Sequence, residues 1–498
     1  MADVIHWADV IAEKILEKKN RVRIATGITP SGHIHLGNLR EMLTADAIRR
    51  AVEEKGGRAE IIYIADTFDP LRKRYPFLPE EYEKYVGMPL SDIPDPDGCH
   101  ESYSEHFLHP FLQSLEILDI PVFIKKADEM YRNGEYNEMI RVSLENREKI
   151  AEIIKNVSGR EVEDDWSPFM PVCKRCGRIN STIVLSFENS SIRYRCKSCG
   201  DEGKSKINEG KLVWRVDWPA RWKILGVDVE PFGKDHATAG GSYETGKKIA
   251  EEIFGINAPF PVIYEWINLK GKGAMKSSKG IVVPVREMVD ALPPEIVRYI
   301  IIRSKPERHI EFDPGIGMLD IIDEFEDALR KGERSAKLSM VEKVNYSDVP
   351  FRHLIVVGQI AEWDPEKVFE ILERNGHEIN ETLKEDVKRR MRYARKWLER
   401  YAPDSMKFRV KSREEIRSKF TQDEKRFLGK FAESLREDMS AEKIHKLVYE
   451  VSEKVGIKPS KAFQAIYKAI LDTKHGPRAG YFIQSLGIDF VKKRFREI

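Results

Sequence analysis

Cysteine is scarce in this chain. Five occur in 498 residues, and four of the five fall into two Cys-x-x-Cys pairs. So few cysteines exclude a disulfide scaffold, and the paired spacing favours a metal. No run of eighteen apolar residues exists, so no membrane partner or span is expected. The first twenty residues lack the apolar core of a secretory signal; Val4, Ala8, Ile11 and Ile15 instead share one helical face. An excess of either charge is also missing, since 84 Lys+Arg against 82 Asp+Glu leave +2. Whole-chain electrostatics therefore announces no nucleic acid, and any such binding must use local patches. There is no internal repeat and no low-complexity tract. A soluble, cytoplasmic protein is expected, and the 33% of charged residues suits the ion-pair networks of a heat-tolerant one.

What is present organises around an α/β pattern. The length suffices for three or four domains. Val22, Arg23, Ile24 and Ala25 read as a strand, with residues 26–32 as its exit turn. A helix follows, with Leu36, Leu39, Leu43, Ala47 and Val52 at helical spacing and Gly56-Gly57 as its stop. Residues 60–66 then read as a buried strand. Strand, helix, strand is a βαβ unit, hence a Rossmann-type parallel sheet. Its ligands sit beyond the carboxyl ends of the strands, where His33 and His35 fall, with a helix N-terminus to favour phosphate.

The reading gives residues 1–68 as the first half of the sheet domain and 69–212 as an irregular insertion rich in Pro, Gly, Cys and His. Residues 213–292 are the second half, 293–345 a helical segment and 346–498 an all-α region. In the second half, Phe232-Gly233-Lys234-Asp235-His236 is a loop and Pro261-Val262-Ile263-Tyr264 a late strand. In the helical region Thr421 with Glu424 forms a capping box before Phe427, Leu428 and Phe431, and Ala462, Phe463, Ile466 and Ile470 form an apolar stripe.

The chemistry-bearing segments lie far apart. His33 and His35 stand where strand gives way to helix, and Gly32 and Gly37 let backbone approach a nucleotide. Met275-Lys276-Ser277-Ser278-Lys279-Gly280 is a small loop with two ammonium groups. Such cations suit phosphoryl chemistry, because they hold charge that builds in the transition state. A rival phosphate loop, Gly241-Ser242-Tyr243-Glu244-Thr245-Gly246-Lys247-Lys248, is set aside. Its Lys248 stands where Ser or Thr must hold Mg2+, and no clear strand precedes it.

Cys173 and Cys176, then nineteen residues, then Cys196 and Cys199, with Gly177 and Gly200 after the pairs, point to tetrahedral zinc. Four thiolates leave no open position, so that site is structural. Cys99, His100 and His106, with Asp95 or Asp97, offer a second zinc site, with His109 beyond; the alternative is a polar loop with chance histidines.

Thr29-Pro30-Ser31-Gly32-His33-Ile34-His35-Leu36-Gly37-Asn38 and the lysine loop together resemble the two nucleotide-gripping signatures of class I aminoacyl-tRNA synthetases. Asn38 stands where that family often has histidine. The family's loop reads Lys-Met-Ser-Lys-Ser; aligned on Met275, Ala274 comes first, Lys276 third, Ser277 fourth and Ser278 fifth, with Lys279 just after. Lys276 and Lys279 would substitute for the two displaced lysines. The resemblance implies ATP with Mg2+ and a carboxylate attacking the α-phosphorus. His33, His35, Asn38, Lys276 and Lys279 would stabilise charge, and Gly32, Gly37, Asp235, His236, Ser277 and Ser278 would bind ATP.

Segment order, including Trp214-Arg215-Val216-Asp217-Trp218-Pro219, is closest to the glutamyl branch. Glutamyl enzymes place an arginine where this chain has Ala25, and a buried carboxylate without a cation is costly. The whole chain resembles the class I lysyl-tRNA synthetases of archaea and some bacteria, which implies L-lysine, ATP and tRNA(Lys) as partners. A lysine side chain wants an apolar slot and an aromatic face or acceptors. Trp218 and Tyr264 are the aromatic candidates, core packing being the equal alternative. Gly27 and Thr29 would hold the amino-acid end, and Asp66 or Glu265 would be the counter-charge. Residues 293–345 would contact the tRNA stem and 346–498 would bind the anticodon. Lys388, Arg389, Arg390, Arg392, Arg395 and Lys396, with Tyr393, Trp397 and Tyr401, read as an RNA-facing helix or a solvated face. The alternatives are a glutamyl- or cysteinyl-tRNA synthetase, a tRNA-independent nucleotidyltransferase, and an inactive zinc-ribbon RNA binder.

Overall fold

The computed structural model describes residues 5–188, 190–275, 282–341 and 344–498. Five parallel strands form the central sheet: β1 (Arg21–Ile28), β2 (Arg58–Ala65), β3 (Phe123–Lys126), β4 (Val229–Gly233) and β5 (Phe260–Tyr264). Their order across the sheet is β5-β4-β1-β2-β3. The connections run outward in opposite directions from β1 and β4, and this reversal opens a crevice at their carboxyl ends. β1 and β2 pair over their whole length, from Arg21 with Arg58 to Ile28 with Ala65. Ile24, Ala25, Ile61, Tyr63 and Ile64 are buried between layers of helix, as a sheet covered on both faces requires.

Strand β3 lies inside the span read as an insertion. It escaped notice because Phe123 and Ile124 are exposed and Lys125 and Lys126 follow, so the edge strand has no apolar signature. The segment from 213 begins with a helix, Trp214–Leu225, before β4, and residues 234–236 form a single 3-10 turn.

The helix Leu36–Glu54 follows β1 and buries Leu36, Leu39, Met42, Leu43, Ala47, Ile48 and Val52. Asp46 on this helix is fully buried and binds Arg298 as well as Arg49 and Arg50. Burial opposes its charge, but the three guanidinium groups outweigh it and hold the carboxyl down to about 2.

The chain divides into two compact units, Met1–Val289 with Val297–Phe312 and Gly332–Val341 in one, and Asp290–Ile296, Asp313–Lys331 and Glu342–Ile498 in the other. Among the described residues every element of the second unit is helical, from Ile316–Arg330 to Ile488–Arg496. Thr421 caps the helix Gln422–Ser434 with the reciprocal Glu424 bond that its spacing predicts. Ala462, Ile466 and Ile470 lie in one apolar core with Phe427, Leu428 and Phe431, and Phe463 packs against it. No helix among the described residues is long and apolar enough to cross a membrane.

Candidate active site

The exit of β1 builds the first half of the site. His35 is the N-cap of the helix Leu36–Glu54: its Nδ1 accepts from Gly37 N–H (3.1 Å), and Asn38 Oδ1 accepts from His35 N–H (3.2 Å). Burial lowers the His35 pKa to about 4. The ring is therefore neutral, and since Nδ1 accepts, Nε2 carries the proton. It is a preset N–H donor at a helix N-terminus. A Cβ on Gly37 would lie 2.9 Å from that imidazole, so glycine is required for the cap. His33 is solvent-facing, its ring edge-on to Phe107 with centres 5.2 Å apart; desolvation and the nearby His106 lower its pKa.

The residues on either side of the second signature meet the first. Val285 N–H donates to Ile34 O and Leu36 N–H to Val283 O. Met275 is buried and lines the same cavity as His33, His35, Gly37 and Asn38. Lys276, Ser277, Ser278 and Lys279 lie outside the described residues.

The cavity measures about 540 Å³ and is also lined by Gly27, Thr29, Gly32, Asp235, His236, Trp218, Tyr264, Glu41 and Glu230. Two of these lining groups are carboxylates that the sequence reading missed. Glu41 accepts from Gly27 N–H (2.6 Å) and from Tyr264 O–H (2.8 Å). Glu230 accepts from the indole N–H groups of Trp218 (2.7 Å) and Trp222. Neither forms an ion pair with Lys or Arg among the described residues. Burial pushes Glu41 up to about 8 and Glu230 up to about 7, against the hydrogen bonds that favour their charged forms. The available signal was a carboxylate inside an otherwise apolar stretch, as in Val229-Glu230-Pro231-Phe232.

The two counter-charge candidates already have cationic partners. Asp66 does not line the cavity; its carboxylate binds Arg221, with Lys211 3.6 Å away. Glu265 is bonded to Lys234 at 2.7 Å. Thr29 reaches the same buried network, donating its hydroxyl to Asp69 (2.8 Å), which also binds Lys211 (2.7 Å). Burial opposes the Lys211 charge, but Asp217, Asp69 and Asp66 outweigh it and raise its pKa.

Trp218 stacks on Trp214 with ring centres 5.3 Å apart, and His236 stands 5.4 Å from Trp218. Burial lowers the His236 pKa. Asp235 lies at the rim of the cavity. Arg40, 1% exposed, donates to the carbonyls of Glu265 (2.7 Å), Pro306 (2.9 Å) and Arg308 (2.6 Å), fixing the segment after β5 to the signature helix.

Both metal-ligand sets converge. Cys173 and Cys199 Sγ are 3.6 Å apart and Cys176 and Cys196 3.7 Å. Zinc–sulfur bonds of about 2.3 Å in a tetrahedron require an edge of about 3.8 Å, whereas a disulfide needs about 2.05 Å. The four thiols therefore fit a tetrahedral metal. Gly177 and Gly200, both at positive φ, close the two knuckles. The ligand atoms of Asp95, Cys99, His100 and His106 also lie within 4.8 Å of one another. The Asp97 carboxylate lies 3.7 Å from His106 while its N–H donates to Asp95 Oδ1 (2.7 Å), and His109 meets Gln113 with its ring 5.3 Å from that of His100.

The basic helix Glu381–Arg400 is largely self-occupied. Arg390 is buried against Glu326 and Val349 O, Arg389 pairs with Glu295, Lys388 with Glu385 and Arg395 with Glu399. Trp397 is buried and donates to Pro314 O. Arg389, Arg390 and Trp397 thus hold their own unit together, whereas the Lys388 and Arg395 pairs are exposed.

Residues 5–347 match the family described as tRNA synthetases class I (K), and residues 381–498 match an anticodon binding domain. The lysine–tRNA ligase of Archaeoglobus fulgidus is 63% identical to this chain over 493 residues, covering 99% of each. A ligase of the same name from Methanosarcina barkeri is 45% identical, covering 100% of this chain and 98% of its own. That of Methanocaldococcus jannaschii is 44% identical, covering 99% of each.

Proposed function

Because the chain belongs to the class I tRNA synthetase family of the lysine type, we propose that it joins L-lysine to tRNA(Lys) through a lysyl-adenylate. The observation that carries the substrate is the pair Glu41 and Glu230, two buried carboxylates outside any ion pair among the described residues, in an aromatic-walled cavity. An ammonium group entering there would favour the ionised form of these carboxyl groups, which burial otherwise holds protonated, whereas an acidic side chain would oppose it. Trp218 and Tyr264 flank the stem of lysine, and Gly27 and Thr29 lie at its amino-acid end.

Lysine's carboxylate attacks the α-phosphorus of ATP and pyrophosphate leaves; the terminal ribose hydroxyl of the tRNA then takes the lysyl group and AMP leaves. His35, through Nε2–H, and His33 donate to phosphate oxygens, favouring the charge that builds there. Asn38 serves chiefly by fixing the cap that aims His35. Asp235 and His236 lie at the nucleotide side of the cavity. Lys276 and Lys279, with Ser277 and Ser278, are assigned to the phosphates from the sequence. Mg2+ entering with ATP offsets phosphate charge.

The four cysteines hold a structural zinc, and Asp95, Cys99, His100 and His106 hold a second. Elemental analysis giving two zinc atoms per chain supports both sites; one would remove the second. Incubating the protein with ATP, Mg2+, total tRNA and each labelled amino acid tests the reaction. Lysine alone should become acid-precipitable, and charging with a different amino acid would refute the pocket.

A further inference from the structure

Trp266 alone of the eight tryptophans is exposed, at 44%; the other seven are buried or half-buried. A lone apolar ring on a surface needs no explanation, but this one lines the cavity of the site. Its backbone is fixed. Trp266 O accepts from Ile310 N–H (3.2 Å) and from the buried Arg40 (3.3 Å), and Glu265 N–H donates to Pro306 O (2.9 Å). The indole is therefore presented by a rigid segment.

The ring belongs to the nucleotide end of the cavity. The carbonyl of the next residue, Ile267, accepts from Met275 N–H (3.4 Å), and a Cβ on Gly37 would lie 4.0 Å from Met275 Cβ. Trp266 is thus joined through Ile267 and Met275 to the helix N-terminus that carries the His35 donor. The aromatic walls of the lysine slot are committed, since Trp218 donates to Glu230 and Tyr264 to Glu41. Among the described residues, the indole N–H of Trp266 has no acceptor. Lys234 Nζ lies 4.7 Å from the ring centre and is held by Glu265 at 2.7 Å, which steadies the indole and leaves its cavity side open.

ATP presents two kinds of surface. His33 and His35 answer its phosphate charge, whereas its base offers a flat, uncharged π face. Aromatic side chains stack on such faces, and their loss weakens binding about five- to 150-fold per base. We propose that Trp266 is the platform on which the adenine of ATP stacks. This rests on the reading that the chain activates lysine with ATP.

The test compares Trp266→Leu and Trp266→Phe with the parent in lysine charging of tRNA. Tripolyphosphate, which carries the phosphate charge without a base, serves as an inhibitor competing with ATP. Trp266→Leu should raise KM for ATP by about fivefold or more. KM for lysine, KM for tRNA and the inhibition constant of tripolyphosphate should not change. Trp266→Phe, which keeps a ring, should stay within about threefold of the parent. An unchanged KM for ATP would overturn the proposal, and so would a rise in KM for tRNA alone, which would turn the ring to the tRNA 3′ end. A tripolyphosphate constant that worsens together with KM for ATP would also overturn it, because the ring would then support the loop rather than the base. Trp266→Phe as impaired as Trp266→Leu would do the same. Failure of the parent chain to charge any tRNA would instead refute the underlying reading.

Discussion

Lysine binding should depend on pH through Glu41. With its pKa at about 8 in the empty cavity, Glu41 must lose a proton before it can face an ammonium group. A single group of that pKa is ionised about 1% at pH 6, about 9% at pH 7 and about 50% at pH 8. Apparent affinity scales with the competent fraction, so KM for lysine should fall roughly tenfold from pH 6 to 7 and about fivefold more by pH 8. Glu230, at about 7, steepens the lower part of the curve. The lysine ammonium, with a pKa of about 10.4, stays charged throughout. Glu41→Gln should weaken lysine binding strongly and leave above pH 7 only the dependence of Glu230, about twofold between pH 7 and 8. Its stability should move the other way. Because the folded pKa lies above the unfolded one, native Glu41 binds the extra proton between about 4.5 and 8, and stability falls as pH rises through that window. By pH 8 the cost is on the order of 4 kcal/mol, so the empty variant should melt higher than the empty parent at that pH. Steady-state charging from pH 6 to 8, with calorimetric melting of both proteins, checks this. A lysine KM that does not change with pH, or a fivefold fall from pH 7 to 8 that survives in Glu41→Gln, would refute the reasoning.

Trp218→Ala should raise KM for lysine far more than KM for ATP, as separate titrations of each substrate would read; equal effects would remove Trp218 from the lysine slot. Asp46→Asn leaves Arg298 buried without its anion and should cost about 3–5 kcal/mol by denaturant unfolding. Cys196→Ser should remove one zinc by elemental analysis, because a four-thiolate site has no spare ligand.

The position of the first signature in the fold was legible because a βαβ pattern and a helix cap are local. His35 caps where the strand-to-helix boundary puts it, and Thr421 and Glu424 form the box their spacing implies. The paired cysteines were legible for the same reason, since ligand spacing is a short-range property. The acceptors in the cavity were not. Glu41 and Glu230 come from a helix and a strand far apart in the sequence, and only the fold shows that both are buried outside any ion pair among the described residues. Nor were the partners of Asp66 legible, because Arg221 and Lys211 arrive from distant segments. Charge runs misled similarly: Arg390 reads as surface until the fold surrounds it with Glu326 and Ser347.

The most direct measurement is a crystal structure of the protein with lysine and a non-hydrolysable ATP analogue. The account predicts the ε-ammonium within about 3 Å of Glu41, a hydrogen-bond distance, with Trp218 and Tyr264 along the stem. An ammonium found beside Asp66 or Glu265, or turned to solvent, would contradict it.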